Sequence, residues 1–154
     1  KVAALNITLF CIHGNHEARP WEAEGYEEKM WMGARVYAEA DYPNLLFAKD
    51  GEIYTMRVKR VLAIGGAYSV DKEYRLRYGY RWFESEQPSE EIKAYTEGQL
   101  KAADWRVDYV LSHTVPLDFE PVWSFLPGLD QSKVDKRTEQ WLQTLYDRLD
   151  IREG

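Results

Sequence analysis

The sequence predicts an α/β fold in which helices flank mixed β-sheets, and three observations lead to this class. Short apolar runs at residues 7–12, 60–64 and 109–111 contain β-favouring side chains and read as buried strands. Residues 88–104 and the stretch after residue 132 instead repeat apolar side chains every three or four positions, which is typical of packed helices. With 154 residues, 45% of them hydrophobic, the chain can bury the core of one domain.

The first predicted elements are a strand at residues 7–12 and a polar loop over residues 13–20. Residues 21–44 are rich in Trp, Tyr and Glu, show no clear period and end at Pro43-Asn44. We expect one or two short helices in this stretch.

Two further strands are predicted at residues 45–48 and 52–58, separated by Lys49-Asp50-Gly51. Because Asp-Gly is a strong hairpin signal, we expect these two strands to pair antiparallel. The strand at 60–64 ends at Gly65-Gly66, and a loop that extends through Arg75 is expected after it.

In the last third of the chain, acidic residues after Ser89 favour a helix that ends near Asp104. The strand at 109–111 leads directly into Ser112-His113-Thr114. Ser132 is predicted to cap a final helix. The apolar face of that helix comprises Val134, Trp141, Leu142, Leu145 and Leu149.

Net charge, cysteine content and the length of apolar runs exclude several classes of protein. The formal net charge of −6 argues against a general nucleic-acid binder, which needs basic side chains, so nucleic acid is expected only as a substrate. Cys11 is the single cysteine, which excludes an internal disulfide and favours a cytoplasmic location. The longest apolar run, Leu9–Ile12, is far shorter than the roughly 20 residues of a membrane span, so no membrane partner is expected. The sequence gives no indication of an oligomeric state.

The three histidines, His13, His16 and His113, all fall in predicted loops at strand ends. Ligands of open α/β sheets bind beyond the carboxyl ends of strands, so these loops can converge on one metal ion. Imidazole, amide oxygen and carboxylate donors suit Zn, Mn, Fe or Ni. A loop histidine is more often an ordinary surface residue, and a single-metal sensor built from the three histidines is another alternative.

The tetrapeptide Gly14-Asn15-His16-Glu17, directly after a predicted buried strand, resembles the Gly-Asn-His-(Asp/Glu) motif of calcineurin-like metallophosphoesterases. Residues 65–69 and 111–116 resemble later strand-loop blocks of bacterial members, so the resemblance covers nearly the whole chain. It implies a calcineurin-like β-sandwich of mixed sheets flanked by helices. It also implies hydrolysis of a phosphate ester by a hydroxide that two divalent ions activate, with Mn, Fe, Zn or Ni as the metal.

The resemblance also implies roles for individual residues. Asn15 and His113 match metal ligands, and His16 matches the catalytic histidine that stabilises the transition state or protonates the leaving oxygen. Glu17 is expected to orient His16 or its loop. Arg19 and Arg75 lie in predicted loops near the site and are candidates for holding a phosphate oxygen, although solvated surface charge is the plainer interpretation.

The chain departs from the family pattern in three motifs. The upstream Asp-x-His and Gly-Asp-x-x-Asp and the downstream Gly-His-x-His are absent from the 154 residues. The remaining ligands would leave this chain alone with at most one weakly held metal ion. We therefore expect residues 1–154 to be the central portion of a single metallophosphoesterase domain, without the segments that carry those motifs. A non-catalytic binding module that retains the fold is the alternative.

Overall fold

The computed structural model describes residues 5–125 and 130–151 and shows an α/β protein with two mixed sheets and three helices, which confirms the predicted class. The strands are β1 (Leu9–Cys11), β2 (Tyr26–Trp31), β3 (Ala34–Glu39), β4 (Leu45–Ala48), β5 (Ile53–Met56), β6 (Lys59–Ile64), β7 (Arg106–Val107), β8 (Tyr109–Ser112) and β9 (Asp150–Ile151). The helices are α1 (Lys72–Arg77), α2 (Glu90–Ala102) and α3 (Arg137–Tyr146).

The first sheet has the strand order β1-β4-β3-β2. β1 runs parallel to β4, whereas β3 pairs antiparallel with both of its neighbours. Apart from a single 3-10 turn at Pro20–Glu22, the prediction of helices within residues 21–44 is wrong, because β2 and β3 form a hairpin there. Met32 and Gly33 connect the two strands with positive φ angles of 50° and 84°, and such a turn matches the twist of paired strands. Ala34, Val36 and Ala38 are buried at alternate positions, as expected for a strand.

The second sheet has the order β5-β6-β8, with β5 antiparallel and β8 parallel to β6. The predicted pairing of residues 45–48 with 52–58 is wrong, because β4 belongs to the first sheet and β5 to the second. Asp50-Gly51 is therefore a corner between the sheets. Gly51 has a φ of +84°, and a Cβ on it would lie 2.5 Å from Thr96 Oγ1, so both conformation and space require glycine.

The core forms on both faces of the second sheet. On one face, Tyr54 and Ala63 pack with Val36 and Leu46 of the first sheet. On the other face, residues of β6 pack with the helices, in a cluster of Leu62, Ile64, Leu100, Val107, Trp141, Leu142 and Leu145. Successive side chains of β6 pack into apolar layers on opposite faces of the sheet, which explains why the residues from Val61 to Ile64 are all buried.

The helices agree in part with the sequence. α2 confirms the predicted helix, and Ser89 Oγ accepts a hydrogen bond from Ile92 N at 3.3 Å at its start. The predicted loop through Arg75 contains α1, and Asp71, at its N-cap position, forms an ion pair of 3.0 Å with Arg75 one turn later.

The last helix, α3, buries Trp141, Leu142 and Leu145 as predicted but begins at Arg137, so Ser132 does not cap it. Ser132 N instead donates to Asp130 Oδ1 at 3.0 Å in a preceding 3-10 turn. Within the described residues, none of the helices combines the length and apolar character needed to cross a membrane.

Candidate functional site

Three loops meet where the two sheets adjoin, and we call them the site loops: residues 13–20 after β1, 65–71 after β6 and 113–116 after β8. Gly66 N donates to His13 O at 2.8 Å, and His113 N donates to Ile64 O at 3.3 Å. A Cβ on Gly65 would lie 2.5 Å from His13 Cβ, so the first two loops touch through glycine. The carboxyl ends of strands from different sheets are therefore held together.

Asn15 and His113, the two predicted metal ligands, lie side by side although 98 positions separate them in the sequence. Asn15 Oδ1 is 3.2 Å from His113 Nε2. Ser69 fixes the backbone beneath them, since its buried hydroxyl lies 2.8 Å from Asn15 O and 2.5 Å from Glu86 Oε2. The site thus rests on a buried polar pair, Ser69 and Glu86, whose role no sequence motif indicated.

His16 contacts two residues of the α1 region. Its Nε2 lies 3.2 Å from Asp71 Oδ1, and its Nδ1 lies 3.0 Å from an Nη atom of Arg75. A guanidinium can only donate, so Nδ1 accepts and the ring proton sits on Nε2, the nitrogen next to the Asp71 carboxylate. Arg75 Nε also bonds Asp71 Oδ2 at 3.0 Å, which closes a three-residue cluster. The sequence predicts a loop here in place of α1, so Asp71 is not among the predicted site residues.

Glu17 turns back onto its own loop. Its Oε1 accepts a hydrogen bond of 2.5 Å from Gly14 N and lies on the side of Gly14 that faces His113. Of the two roles expected for Glu17, the contacts support orientation of the loop. Burial, reinforced by the charge of Glu17, raises the pKa of the neighbouring Cys11 thiol, which does not favour a nucleophilic thiolate.

Arg19 does not lie at the surface of the site, contrary to the expectation that it could hold a phosphate. Its side chain is fully buried, pairs with the buried Asp50 and donates from Nε to Ser85 O at 2.9 Å. Burial lowers the pKa of Arg19 to about 10, so it remains a cation at neutral pH. Asp50 Oδ1 in turn accepts from Gly65 N at 2.5 Å. Arg19 thus links the loop after β1 to the loop after β6.

His13 differs from His16 and His113 because its side chain is buried. It is 4% exposed, and burial, with the nearby charges of Arg19 and His113, lowers its pKa to about 3. Among the described residues, His13, His16 and His113 do not form a group that could hold a metal ion, so the structure does not support the three-histidine sensor. Across residues 5–125 and 130–151, no group of three or more His, Cys, Asp or Glu side chains is placed to hold a metal ion.

The pair formed by Asn15 and His113 nevertheless fits part of a divalent site. Two ligands at about 2.1 Å from one ion, at angles between tetrahedral and octahedral values, lie roughly 3.0 to 3.4 Å apart. The observed distance of 3.2 Å falls in this range, and both atoms are donors that Mn, Fe, Zn or Ni accept.

No protein-family model matches the sequence, and neither a curated protein nor a solved structure matches it significantly. The interpretation of the site therefore depends on its own geometry.

Proposed function

We propose that this chain is a calcineurin-like metallophosphoesterase that hydrolyses a phosphate ester, as a phosphatase or a phosphodiesterase. The observation that carries the proposal is the 3.2 Å contact of Asn15 and His113, in loops that also hold His16. Two sheets sharing one core, with α2 and α3 packed on the outer face of the second, agree with the β-sandwich that the motif resemblance implies.

Asn15 Oδ1 and His113 Nε2 are the atoms that would hold a divalent cation. When bound, such an ion supplies Lewis-acid stabilisation of phosphoryl charge and activation of water. In its absence His113 keeps its Nε2 proton, which is the simplest donor for the contact with Asn15 Oδ1. Cation and proton therefore compete for the same nitrogen.

His16 is the proton-transfer group in this proposal. Nε2 lies 3.2 Å from Asp71 Oδ1 and Nδ1 faces Arg75, so Nδ1 is the atom that would carry a proton to a leaving oxygen. The guanidinium of Arg75 donates a hydrogen bond to His16 Nδ1. A phosphate oxygen is a stronger acceptor for a guanidinium than a neutral imidazole nitrogen is. Movement of Arg75 to the phosphate would free His16 for that transfer.

The test is metal content and turnover on the full chain. After treatment with chelator, loading with Mn²⁺ and desalting, we expect Asn15→Ala and His113→Ala each to bind metal at least about 10-fold more weakly. His16→Ala should retain its metal while turnover of a p-nitrophenyl phosphate ester falls about 100-fold or more. Asn6→Ala, an exposed asparagine outside the site loops, is the matched control. Unchanged turnover in His16→Ala, or unchanged metal content in both ligand variants, contradicts the proposal.

A non-catalytic binding module is the second candidate. It is favoured by the lack of a three-residue His, Cys, Asp or Glu cluster among the residues that the structure describes. Folded protein that takes up no Mn²⁺ and turns over neither a phosphomonoester nor a phosphodiester would support this candidate.

A further inference from the structure

Three tyrosines form an open aromatic surface next to the site, and we call them the tyrosine platform: Tyr74, Tyr78 and Tyr80. Each is more than half exposed, at 56%, 61% and 58% respectively. The ring of Tyr74 lies 4.7 Å from that of Tyr78 and is stacked on that of Tyr80 at 5.9 Å. Clustered rings that remain open to solvent can bind a further planar group.

The platform is directly connected to the site through Arg75. Tyr74 precedes Arg75 on α1, and Tyr80 N donates to Arg75 O at 2.8 Å. The guanidinium of Arg75 contacts His16 Nδ1 at 3.0 Å and is also held by the carbonyl oxygen of Arg81. The residue nearest His16 therefore belongs to the same short segment as the three rings.

Positive charge is concentrated on this segment. Residues 72–82 contain four Lys or Arg and one Glu, although the whole chain carries a net charge of −6. Arg77 and Arg81 are exposed, and the described residues offer neither of them an ion pair. Lys72 lies 3.9 Å above the ring of Trp82. Exposed rings and exposed cations without an ion pair, Arg77 and Arg81, therefore share one short segment, which matches a ligand that combines planar groups with anions.

We propose that the tyrosine platform binds unpaired bases of a single-stranded nucleic acid, with Arg77 and Arg81 on its phosphates. A neighbouring phosphate of the same strand then lies at Arg75 and His16. The hydrolysis of that strand rests on the proposed phosphoesterase function, whereas its binding does not. Base stacking on aromatic side chains combined with cations along the backbone is the common mode of single-strand recognition.

The experiment measures binding in EDTA, so that it does not depend on hydrolysis. A fluorescently labelled single strand of about 12 nucleotides, within the usual footprint of such sites, is titrated with the full chain. Tyr74→Ala and Tyr80→Ala should each weaken binding at least about 5-fold, whereas Tyr74→Phe, which keeps the ring, should bind normally. Tyr42→Ala removes an exposed tyrosine outside the platform and should have no effect.

The charges are tested by the salt dependence of binding. Arg77→Gln and Arg81→Gln should each reduce the slope of log K against log salt by about 0.7, the value for one phosphate contact on a single strand. Arg57→Gln, an exposed arginine in the turn between β5 and β6, should leave the slope unchanged.

Several results would overturn the inference: equal affinity for the matching duplex, displacement of the strand by AMP at a similar concentration, or tyrosine variants that bind normally. The second result would indicate a free nucleotide as the ligand, and the third would show that the tyrosines take no part in binding the strand. The strand could bind with the expected effects of the variants while the protein turns over no phosphate ester. That result would support strand binding by the tyrosine platform and contradict only the phosphoesterase proposal.

Discussion

Replacement of Arg19 by Met should destabilise the whole protein, because the change leaves a buried carboxylate without its cation. The side chains of Arg19 and Asp50 are 0% and 3% exposed. Breaking a buried pair by removal of one partner costs about 3–5 kcal/mol. For a chain of 154 residues, a change of that size lowers the melting temperature by about 6 to 20 °C.

The assay is urea and thermal unfolding of Arg19→Met, Asp50→Asn and the double variant. Asp50→Asn retains an oxygen for Gly65 N, so it removes the charge and keeps the hydrogen bond of 2.5 Å. The double variant should be more stable than the sum of the single effects predicts, by about 2 kcal/mol or more.

The matched control is Arg106→Met, because Arg106 pairs with Asp150 at 3.3 Å while both side chains are more than half exposed. This change should cost about 1 kcal/mol or less. An Arg19→Met effect equal to that of the control, or simple additivity in the double variant, would refute the view that Arg19 holds the site loops together.

Two further predictions concern backbone conformation. Gly66 has a φ of +85° and a Cβ on it would overlap the backbone oxygen of Glu86, so Gly66→Ala should lower the free energy of unfolding by about 3 kcal/mol or more. Gly25, with a φ of +90° but open space around it, is the control, and its replacement by Ala should cost only about 1–2 kcal/mol. Met32→Asn should stabilise the protein by roughly 0.5–1 kcal/mol, because Asn tolerates the positive φ of 50° in the turn between β2 and β3. Met30→Asn, at an exposed position within β2, should give no gain, and urea unfolding measures all four variants.

The parts of the fold that the sequence predicts well are those with a local cause. β1 and β6 contain short apolar runs that are followed by glycine within three residues, and α2 has an acidic first turn after a capping serine. The positions of Asn15 and His113 at strand ends follow from the same local signals. That their side chains meet required a parallel alignment of β6 with β8, together with the link between the loops after β1 and β6.

Other parts depend on contacts between distant residues. Asp50-Gly51 has the sequence of a hairpin turn, but Ala48 pairs with Val36 and Ile53 pairs with Leu62, so the strands on either side separate into different sheets. The sequence does not predict β2, because its polar and aromatic residues do not alternate clearly. The sequence feature that could indicate the β2–β3 hairpin is the turn at Met32-Gly33. Asp71 joins His16 across 55 positions, which no local pattern encodes.

The spacing of Asn15 and His113 is a property of the stacking of the two sheets. Asn15 follows a strand of the first sheet, and His113 follows a strand of the second. Any sliding of one sheet over the other would change the distance between the two donor atoms, even if both loops kept their shape. The apolar layer that includes Val36 and Tyr54 lies between the sheets and resists such sliding. The packing of the apolar layer between the sheets therefore sets the distance between Asn15 and His113.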